Sequence, residues 1–377
     1  MPRVLKIIIC YVTAFILCGG ISFLRLNYTK FNLEQILEQS AGANNIKPLE
    51  ILKENFPAEI LEPVVLRSYV KRKVRREIII GAVGDVSLAS NFVKPYDYSF
   101  NYYYDNHGPE YFFENVRGIF EQCDVVIANL ECALTDNEDR SIRRPQPYCY
   151  KGKTHYAEIL KLGGIDIVNL ANNHSFDYGQ IGFDDTLAAL EAAGIGYFGY
   201  DDIFIKEVNG LKLGFIGAWG SGLISDARLQ GFKAQLDYLD EQGVDLKIFS
   251  YHWGINDQLI QNAGQVYLGR FLIDNGADLI IGHHPHVLQG IELYNGKYIV
   301  YSLGNFIFDG NIISDIEQRS TVIFQIKFAF EGESLISSEI NLVPAIATSS
   351  RSRNNFQPVL AEGEMHDLIL RKIESRS

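Results

Sequence analysis

The chain has 377 residues, of which 47% are hydrophobic and 21% are charged, and this balance excludes a wholly disordered protein. Its 34 Lys and Arg residues against 46 Asp and Glu residues give a formal net charge of -12. Because phosphate binding needs a basic footprint, this charge excludes a protein that holds nucleic acid over its whole surface. Five cysteines are too few for a scaffold held together by disulfide bonds.

The N-terminal residues have the features of an uncleaved signal anchor. Arg3 and Lys6 precede an uncharged run over residues 7–24, which as a helix would span about 27 Å, close to the hydrocarbon thickness of a bilayer. The run is longer than the apolar region of most signal peptides, and no A-x-A-like cleavage site follows it. A cleaved signal peptide and a lipoprotein processed at Cys18 are the alternatives. We therefore expect residues 1–27 to be a transmembrane helix of a single-pass cell-membrane protein with its body outside the cytoplasm.

Composition divides the rest of the chain into a linker, a body and a tail. Residues 28–76 are interrupted by prolines and end in a basic cluster, which is typical of a solvated stalk. Binding of that cluster to anionic lipid or polymer is the alternative. Residues 77–347 have a regular pattern and form the predicted body. Residues 348–377 are rich in Ser, Arg and Asn, and we expect a loose C-terminal tail apart from a short helix near Leu368.

Within the body, an amphipathic helix, a glycine and a short apolar strand recur. Glycine just past a helix accepts the left-handed conformation that closes it, and apolar strands bounded by helices indicate a sheet buried on both faces. The sequence therefore predicts an α/β fold of mixed sheets with helices outside, layered as a sandwich. The predicted helices are 156–162, 237–242 and 265–275, and the predicted strands are 78–83, 124–130, 165–170, 244–249, 278–281, 289–294, 297–303 and 321–330, with a hairpin turn at Asn295-Gly296.

Polar side chains stand at the ends of five of these strands, where ligands bind in α/β sheets. Taken singly, each has an ordinary explanation, such as a turn, a cap, an ion pair or a buried histidine. Taken together at one edge of one fold, they favour a metal site. These residues are Asp85, Glu131, Asn173 with His174, His252, and the pair His284 and His286.

The ligand types indicate more than one ion. Two carboxylates, one amide oxygen and three imidazoles exceed what a single catalytic ion with an open position needs, and they fit a binuclear centre bridged by a carboxylate. Mixed oxygen and nitrogen ligands without a thiolate favour Mn, Fe or Zn. Such centres catalyse phosphoryl displacement. His174 would then be the general acid for the leaving group, with orientation of another ligand as its alternative role.

Six motifs in this chain closely resemble, in order, those of the bacterial capsule-synthesis CapA family, also called PgsA. The resemblance covers about residues 77–309 and implies a membrane-anchored protein associated with making or exporting poly-γ-glutamate. It also implies the layered α/β/β/α sandwich of the calcineurin-like metallophosphoesterases. The motifs are Gly84-Asp85-Val86-Ser87-Leu88, Asn129-Leu130-Glu131, Asn172-Asn173-His174, His252-Trp253-Gly254, Gly282-His283-His284-Pro285-His286 and Ser302-Leu303-Gly304-Asn305-Phe306.

The resemblance to the wider superfamily implies two sets of ligands that share a bridge. Asp85 and His286 would bind the first ion, Asn173, His252 and His284 the second, and Glu131 both. Ser87 stands where the superfamily usually has His, and a hydroxyl is a poor ligand for these metals. We therefore expect the first ion to be weakly bound, exchangeable or absent. His283 is not counted among the ligands.

Three residues are predicted to contact substrate: Asn172, Lys151 and Asn305. Lys151 belongs to a basic loop with Arg143 and Arg144, which could hold an anionic group of the substrate, although a solvated face is the alternative. The resemblance implies that the segment of Asn305 lies near the metals, and a packing or turn role is equally compatible with the sequence.

Two functions are compatible with these features. The first is a metal-dependent phosphoesterase-like hydrolase that acts on a phosphorylated or polymeric surface substrate. The second is a non-catalytic subunit that binds or exports an anionic polymer within a capsule synthesis complex. The net charge counts against broad electrostatic holding of a polyanion, so polymer binding would be local. In both cases the expected partners are the membrane, the anionic polymer or its precursor and other capsule synthase subunits, and not nucleic acid.

Overall fold

The structure is a computed structural model that describes residues 75–91, 93–220, 224–310 and 313–377. The predicted anchor and all but the last two residues of the predicted stalk lie outside this part of the chain. Residues 76–329 and 335–377 form one compact unit, and the described residues of a second unit are Arg75 and residues 330–334. Within the described residues, no helix has both the length and the apolar character needed to cross a membrane.

The described residues form strands and helices as follows. The strands are β1 Arg75–Val86, β2 Ser90–Asn91, β3 Val125–Leu130, β4 Ala133–Leu134, β5 Tyr150–Gly152, β6 Ile167–Asn169, β7 Gly196–Phe198, β8 Phe204–Val208, β9 Leu211–Trp219, β10 Leu246–His252, β11 Leu279–His283, β12 Ile291–Tyr294, β13 Lys297–Val300, β14 Asn305–Ile307, β15 Ser320–Glu331, β16 Ser334–Ile346 and β17 Val359–Leu360. The helices are α1 Phe100–His107, α2 Arg117–Phe120, α3 Ala157–Gly163, α4 Gly179–Ala193, α5 Asp226–Glu241, α6 Ala263–Asp274, α7 Ile316–Arg319 and α8 Gly363–Arg376, with 3-10 turns at Tyr96–Tyr98, Pro109–Phe112, Arg140–Ile142 and Thr154–Tyr156.

Two mixed sheets dominate the fold. The first has the strand order β17-β16-β15-β1-β3-β6-β7, with β14 also paired to β1. Its central pairs, β1 with β3, β3 with β6 and β6 with β7, are parallel. The second has the order β12-β13-β11-β10-β9-β8, in which β9, β10, β11 and β13 are parallel neighbours. A small third sheet joins β2, β5 and β4.

Each large sheet is covered by helices on one face and is buried on the other. In the first sheet, Val126 and Val168 pack with residues of α3 and α4, and in the second, Phe249 packs with residues of α5 and α6. On the opposite faces, Ile127 and Ile248 are also almost fully buried. The predicted α/β class with mixed sheets and outer helices is therefore confirmed.

Local signals explain where several elements begin and end. Helix α6 begins at a capping box, in which Asn262 and Gln265 each bond to the backbone N–H of the other. Helix α3 ends at Gly164, whose φ of 87° closes it as predicted. Asn295 and Gly296 both have positive φ and join β12 to β13 in a two-residue hairpin, which confirms the predicted turn.

The C-terminal residues are packed and not loose, so that part of the prediction is wrong, whereas the helix predicted near Leu368 is present. They contain β17 and the 14-residue helix α8, whose Ile369 and Ile373 are buried. The guanidinium of Arg376 donates to the carbonyl of Leu288 at 2.7 Å. The two buried isoleucines are four residues apart and lie among charged residues, so the apolar pattern is weak in the sequence. This spacing is nevertheless enough for one face of the helix to pack against the protein. The short helix α7 also interrupts a stretch that the sequence predicts to contain strands alone.

A test of the fold next to the site concerns Gly84, where β1 closely approaches the loop before β14. A Cβ atom at Gly84 would lie 1.9 Å from the carbonyl oxygen of Gly304, a backbone atom that cannot rotate away. We expect Gly84→Ala to lower the free energy of unfolding by roughly 3 kcal/mol, at the upper end of overpacking costs, and Tm by several degrees.

Gly231→Ala is the matched control, because Gly231 is an exposed residue of α5 with nothing within 4 Å of its added Cβ. Alanine at a free helical position should raise stability by about 0.5–1 kcal/mol. Thermal unfolding of the two variants beside the wild type measures both effects. An unchanged Tm in Gly84→Ala would contradict the close approach.

Candidate functional site

The acidic side of the site comes from neighbouring strands of the first sheet. Asp85, the penultimate residue of β1, is in register with Asn129 of β3, and both are fully buried. The amide nitrogen of Asn129 donates to Oδ1 of Asp85 at 2.9 Å and lies 3.2 Å from Nδ1 of His252. Its amide oxygen accepts from Asn169 at 3.0 Å, which settles the orientation of the amide. Asn129 thus connects a carboxylate of the first sheet to a histidine of the second.

Glu131 follows β3 directly, and its backbone N–H donates to the carbonyl of Val86 at 2.8 Å. Its side chain is fully buried, and neither carboxylate oxygen has a hydrogen-bond partner among the described residues. Three imidazoles instead face Oε1, with Nε2 of His252, His286 and His174 at 3.5, 3.8 and 3.9 Å. A buried carboxyl group without donors costs free energy, and a cation among these ligands would compensate for that cost.

The two carboxyl groups have opposite pKa shifts. Burial raises the pKa of Glu131 well above its ordinary value, and the negative charges of Asp85 and Asp177 raise it further. Burial also opposes ionisation of Asp85, but the imidazoles of His283 and His286 outweigh this and hold the pKa of Asp85 well below its ordinary value. Asp85 is therefore ionised, and a cation entering the site would displace a proton from Glu131.

The histidines come from the ends of two neighbouring strands of the second sheet. His252 ends β10 and is in register with His283, which ends β11. The chain then turns through His284 and His286, whose φ values are 96° and 59°. A left-handed backbone at residues other than glycine costs on the order of 1–3 kcal/mol each and is concentrated at functional sites. Here this conformation brings both rings to the two carboxyl groups.

Three further atoms that could bind a metal ion lie around Nε2 of His252. Oδ1 of Asn173 lies 2.6 Å from it, Nδ1 of His284 3.0 Å and Oε1 of Glu131 3.5 Å. Burial, together with the neighbouring imidazoles, lowers the pKa of His252 well below its ordinary value and that of His284 to about 4. Both rings are therefore neutral at neutral pH, which is the form that binds metals. This is the ligand set predicted for the second ion, and its role stays a prediction.

A second group of donors surrounds His286. Its Nδ1 lies 3.1 Å from Oδ2 of Asp85 and 3.0 Å from Oδ1 of Asn305. Because both oxygens accept hydrogen bonds, Nδ1 carries the ring proton, and Nε2 presents its lone pair toward Oε1 of Glu131. The arrangement fits a ring that binds a metal through Nε2.

Two overlapping sets of three side chains have ligand atoms within 4.8 Å of one another. They are Glu131 with His284 and His286, and Asp85 with Glu131 and His252. Glu131 belongs to both, as a bridging carboxylate would. The resemblance instead pairs Asp85 with His286 and His252 with His284. The 3.1 Å contact within the first of these pairs is the hydrogen bond through Nδ1 of His286, whose Nε2 faces Glu131 instead, so the division of the ligands between two ions stays a prediction.

Ser87 and His283 are buried beside Asp85 without hydrogen-bond partners among the described residues, at Oγ and at both ring nitrogens respectively. Nδ1 of His283 lies 3.5 Å from Oδ1 of Asp85. Sequence reasoning leaves His283 out of the ligand set, yet the structure brings its ring to the carboxylate predicted for the first ion. The sequence feature that could have indicated this role of His283 is its position directly before His284, as a third imidazole in the same short segment.

His174 is oriented by a carboxylate three residues later. Its Nδ1 lies 2.7 Å from Oδ2 of Asp177, which also accepts from the backbone N–H of Tyr150 at 2.8 Å. Gln146 donates to the other oxygen of Asp177 at 2.6 Å. Because Nδ1 donates its hydrogen bond to Asp177, Nε2 is the ring nitrogen that faces Glu131. The predicted general acid thus has the required orientation, and its role stays a prediction.

Two of the predicted substrate residues have partners inside the protein. Asn172 is buried, donates to the carbonyl of Leu130 at 2.8 Å and accepts from the N–H of His174 at 3.0 Å. Asn305 accepts from His286 and donates to its carbonyl at 3.1 Å. Both side chains therefore position a neighbour in the cluster, and contact with substrate stays a prediction for each.

Lys151, the third predicted substrate residue, is directed elsewhere. Its ammonium lies 2.9 Å from the carbonyl oxygen of Asn137 and 3.2 Å from a carboxylate oxygen of Glu138. The ammonium also lies 5.5 Å from the ring centre of Tyr178. The structure therefore does not bring Lys151 into the histidine and carboxylate cluster.

Sequence reasoning missed the roles of Asn129 and Asp177, which hold Asp85 and His174. A signal existed for each residue. Asn129 is a polar residue inside an otherwise apolar strand, and Asp177 follows His174 at a spacing from which a carboxylate can reach an imidazole. Neither signal is specific, because buried amides and local ion pairs are common without a site.

Residues 79–310, more than half of the chain, match the family described as bacterial capsule synthesis protein PGA_cap. The chain is 29% identical over 262 residues to the capsule biosynthesis protein CapA of Bacillus anthracis, which covers 64% of this chain and 62% of that protein. It is 34% identical over 223 residues to the PGA biosynthesis protein CapA of Bacillus subtilis, which covers 54% of this chain and 58% of that protein. The match thus spans about three fifths of the length of these relatives.

Among solved structures, a hypothetical protein from Thermus thermophilus is similar with a TM-score of 0.44 and 16% identity, over 71% of this chain and 99% of that chain. All six motifs begin and end within the matched residues 79–310, and they include all six predicted metal ligands and His174. The predicted resemblance is therefore confirmed: the chain belongs to the bacterial capsule synthesis family that includes CapA.

Proposed function

We propose that the cluster binds divalent metal ions and that the protein is a metal-dependent, phosphoesterase-like hydrolase of capsule or poly-γ-glutamate biosynthesis. One observation carries the proposal. Glu131 is fully buried, both its carboxylate oxygens lack hydrogen-bond donors among the described residues, and three imidazoles surround it. A hydrophobic core does not need such an arrangement, whereas a bridging ligand does.

The donor set fits a pair of Mn, Fe or Zn ions. Asp85 and His286 would hold the first ion, the second would have the ligand set around His252, and Glu131 would be shared. Ser87 supplies a weak ligand to the first ion, so we propose that this ion binds less tightly. Ions bound there would supply Lewis-acid activation of water and of a phosphoryl oxygen.

The remaining side chains of the site would orient the metal ligands and the proton donor. Asn129 and Asn305 hold Asp85 and His286 in the orientation described above. In its protonated form, His174 can give the Nε2 proton to the departing oxygen of the substrate, and the ring then keeps the Nδ1 proton that is hydrogen-bonded to Asp177. The substrate would be a phosphorylated or polymeric component of the cell surface.

We further propose that the two sheets and their helices form the layered α/β/β/α sandwich of the metallophosphoesterases. Residues 1–27 would anchor the chain in the cell membrane, residues 28–76 would be a stalk, and residues 77–377, which include the packed β17 and α8, would be the working body outside the cytoplasm. Protease treatment of intact and of permeabilised cells tests this topology. Protection of the body in intact cells would contradict it.

A second candidate is a non-catalytic subunit that binds or exports the polymer together with other capsule synthase subunits. The relatives favour it, since the two Bacillus proteins are described as biosynthesis proteins. A Mycobacterium tuberculosis protein that is 30% identical over 214 residues is described as a probable polyglutamine synthesis accessory protein. That match covers 49% of this chain and 56% of the mycobacterial protein.

The deciding experiment combines metal analysis of the purified full-length chain with turnover of generic phosphomonoesters and phosphodiesters. Bound metal, with turnover that is lost in His252→Ala and Asn173→Ala, supports the hydrolase. Stoichiometric metal without turnover, together with saturable polymer binding, supports the accessory subunit. His366→Ala is the control, because it removes an exposed imidazole that pairs with Asp367 on α8.

We also expect His284→Ala to reduce the metal content of the purified chain by about one ion. The Nδ1 atom of His284 lies 3.0 Å from Nε2 of His252, within the ligand set predicted for the second ion. Elemental analysis after equilibration with one equivalent of metal measures the loss, with His366→Ala as the same control. Full metal content in His284→Ala would remove this residue from the ligand set.

A further inference from the structure

An arginine that the predicted ligand set does not include lies beside the cluster. Nη1 of Arg144 donates to the backbone carbonyl of Asn173 at 3.1 Å. The side-chain oxygen of the same Asn173 lies 2.6 Å from Nε2 of His252. The guanidinium therefore contacts the backbone of a residue whose side chain belongs to the predicted metal ligands. Arg144 is exposed to solvent.

The segment that carries this arginine is held to the loop of His174. The backbone N–H of Arg144 donates to the carbonyl of Asp177 at 2.8 Å, and the N–H of Gln146 donates to the carbonyl of Arg144 at 2.8 Å. The side chain of Gln146 donates to Oδ1 of Asp177. Because the carboxylate of Asp177 also orients His174, one residue positions both the arginine and the predicted general acid.

Among the described residues, no carboxylate forms an ion pair with Arg144, although the protein carries a net charge of -12. In contrast, Lys151 on β5 is paired with Glu138, and Lys94 is paired with Asp309. One hydrogen bond to a carbonyl uses one of the five N–H groups of a guanidinium. Four donors of Arg144 are therefore available to a ligand at the edge of the cluster.

We propose that Arg144 binds an oxyanion of the substrate beside the metal cluster. A guanidinium presents a planar pair of donors that matches two oxygens of a carboxylate or of a phosphate. The substrate would thus carry a second anionic group next to the group held by the cluster. The proposal rests on the proposed function for the identity of the site, but it concerns this side chain and can fail separately.

The test is anion binding by the full-length, metal-loaded chain, measured by calorimetry with two probes, inorganic phosphate and a γ-linked glutamate trimer. The affinity of Arg144→Gln for at least one of the two probes should be lower than that of the wild type by roughly 10-fold or more, since charge-assisted hydrogen bonds are lost. Arg144→Lys should bind the probe with an affinity between those of the wild type and Arg144→Gln, because lysine keeps the positive charge but lacks the planar pair of donors. Arg140→Gln, which removes an exposed positive charge from the same loop, should bind as the wild type does.

The outcomes separate the sources of the anion. A loss for phosphate alone indicates a phosphorylated substrate, a loss for the trimer alone indicates the carboxylate polymer, and either supports the proposal. Equal affinities in wild type and Arg144→Gln, an equal loss in Arg140→Gln, or no binding of either probe by the wild type would overturn it. A parallel loss of metal content would assign Arg144 a structural role and also overturn it. Arg144-dependent binding by a chain that takes up no metal would support this inference while contradicting the proposed function.

Discussion

Glu131→Gln is expected to abolish tight metal binding while leaving the chain folded. The substitution keeps the size of the side chain but removes the negative charge that both predicted ions would share. Loss of a group that merely supports a ligand costs about 10–100-fold in metal affinity, so loss of the bridge should cost at least about 100-fold. Calorimetric titration of the metal-free chain measures the change, and Glu114→Gln, at an exposed glutamate, is the matched control.

The same variant should change how the stability of the metal-free chain depends on pH. The folded-state pKa of Glu131 is raised above its ordinary value of 4.5, so its neutral form is stabilised by folding. That stability is fully present below the unfolded pKa and is lost as pH rises through the folded pKa. The amide introduced by Glu131→Gln cannot ionise, so Tm of this variant should exceed that of the wild type by a margin that grows above about pH 4.5.

Two results would contradict this account of Glu131. Equal metal affinity in Glu131→Gln and wild type would mean that the carboxylate is not a ligand. A parallel dependence of Tm on pH in the two metal-free proteins would mean that the carboxyl group has a donor in solution that the described residues do not supply. Proton release on metal binding gives a further check, because a cation that displaces the proton of Glu131 should make apparent affinity rise with pH.

The location of the site could be predicted because short apolar strands are easy to recognise and ligands collect at their carboxyl ends. Strands β10 and β11 were predicted to within a few residues, and His252 and His284 stand at their ends. A short helix was predicted near Leu368, where α8 lies, but its length and its packing were not, because its apolar positions are few and lie among charged residues. Periodicity detects a helix only when its buried face is wide.

The details of the site were harder to predict because they depend on where side chains point. Sequence reasoning chose Lys151 from the basic loop, but Glu138 pairs with it, and Arg144 reaches the cluster instead. Both are basic residues of one short segment, Lys151 on β5 and Arg144 in the loop before it, and a local pattern in the sequence does not separate them. Likewise, Asn305 was predicted to contact substrate, whereas its hydrogen bonds with His286 depend on the pairing of β14 with β1.

His174→Ala should reduce turnover by an amount that depends on the leaving group. A general acid assists only a departing oxygen that needs a proton, and such assistance contributes about 10²–10⁴-fold. Hydrolysis of an alkyl phosphodiester should therefore fall by that factor, while hydrolysis of a p-nitrophenyl ester, whose anion leaves readily without a proton, should fall much less. Metal content should stay at the wild-type level, because His174 lies outside both groups of closely spaced ligand atoms.

Asp177→Asn separates this role from a general loss of structure. The amide can still accept a hydrogen bond from Nδ1 of His174, but it removes the charge that holds the ring, so it should lower alkyl diester turnover by a smaller factor with the same dependence on leaving group. Steady-state rates for the two substrates in both variants measure the pattern. An equal loss for both substrates would show that His174 orients a ligand instead, as its distance of 3.9 Å from Glu131 also permits. Retained alkyl diester turnover in His174→Ala would exclude it as the proton donor.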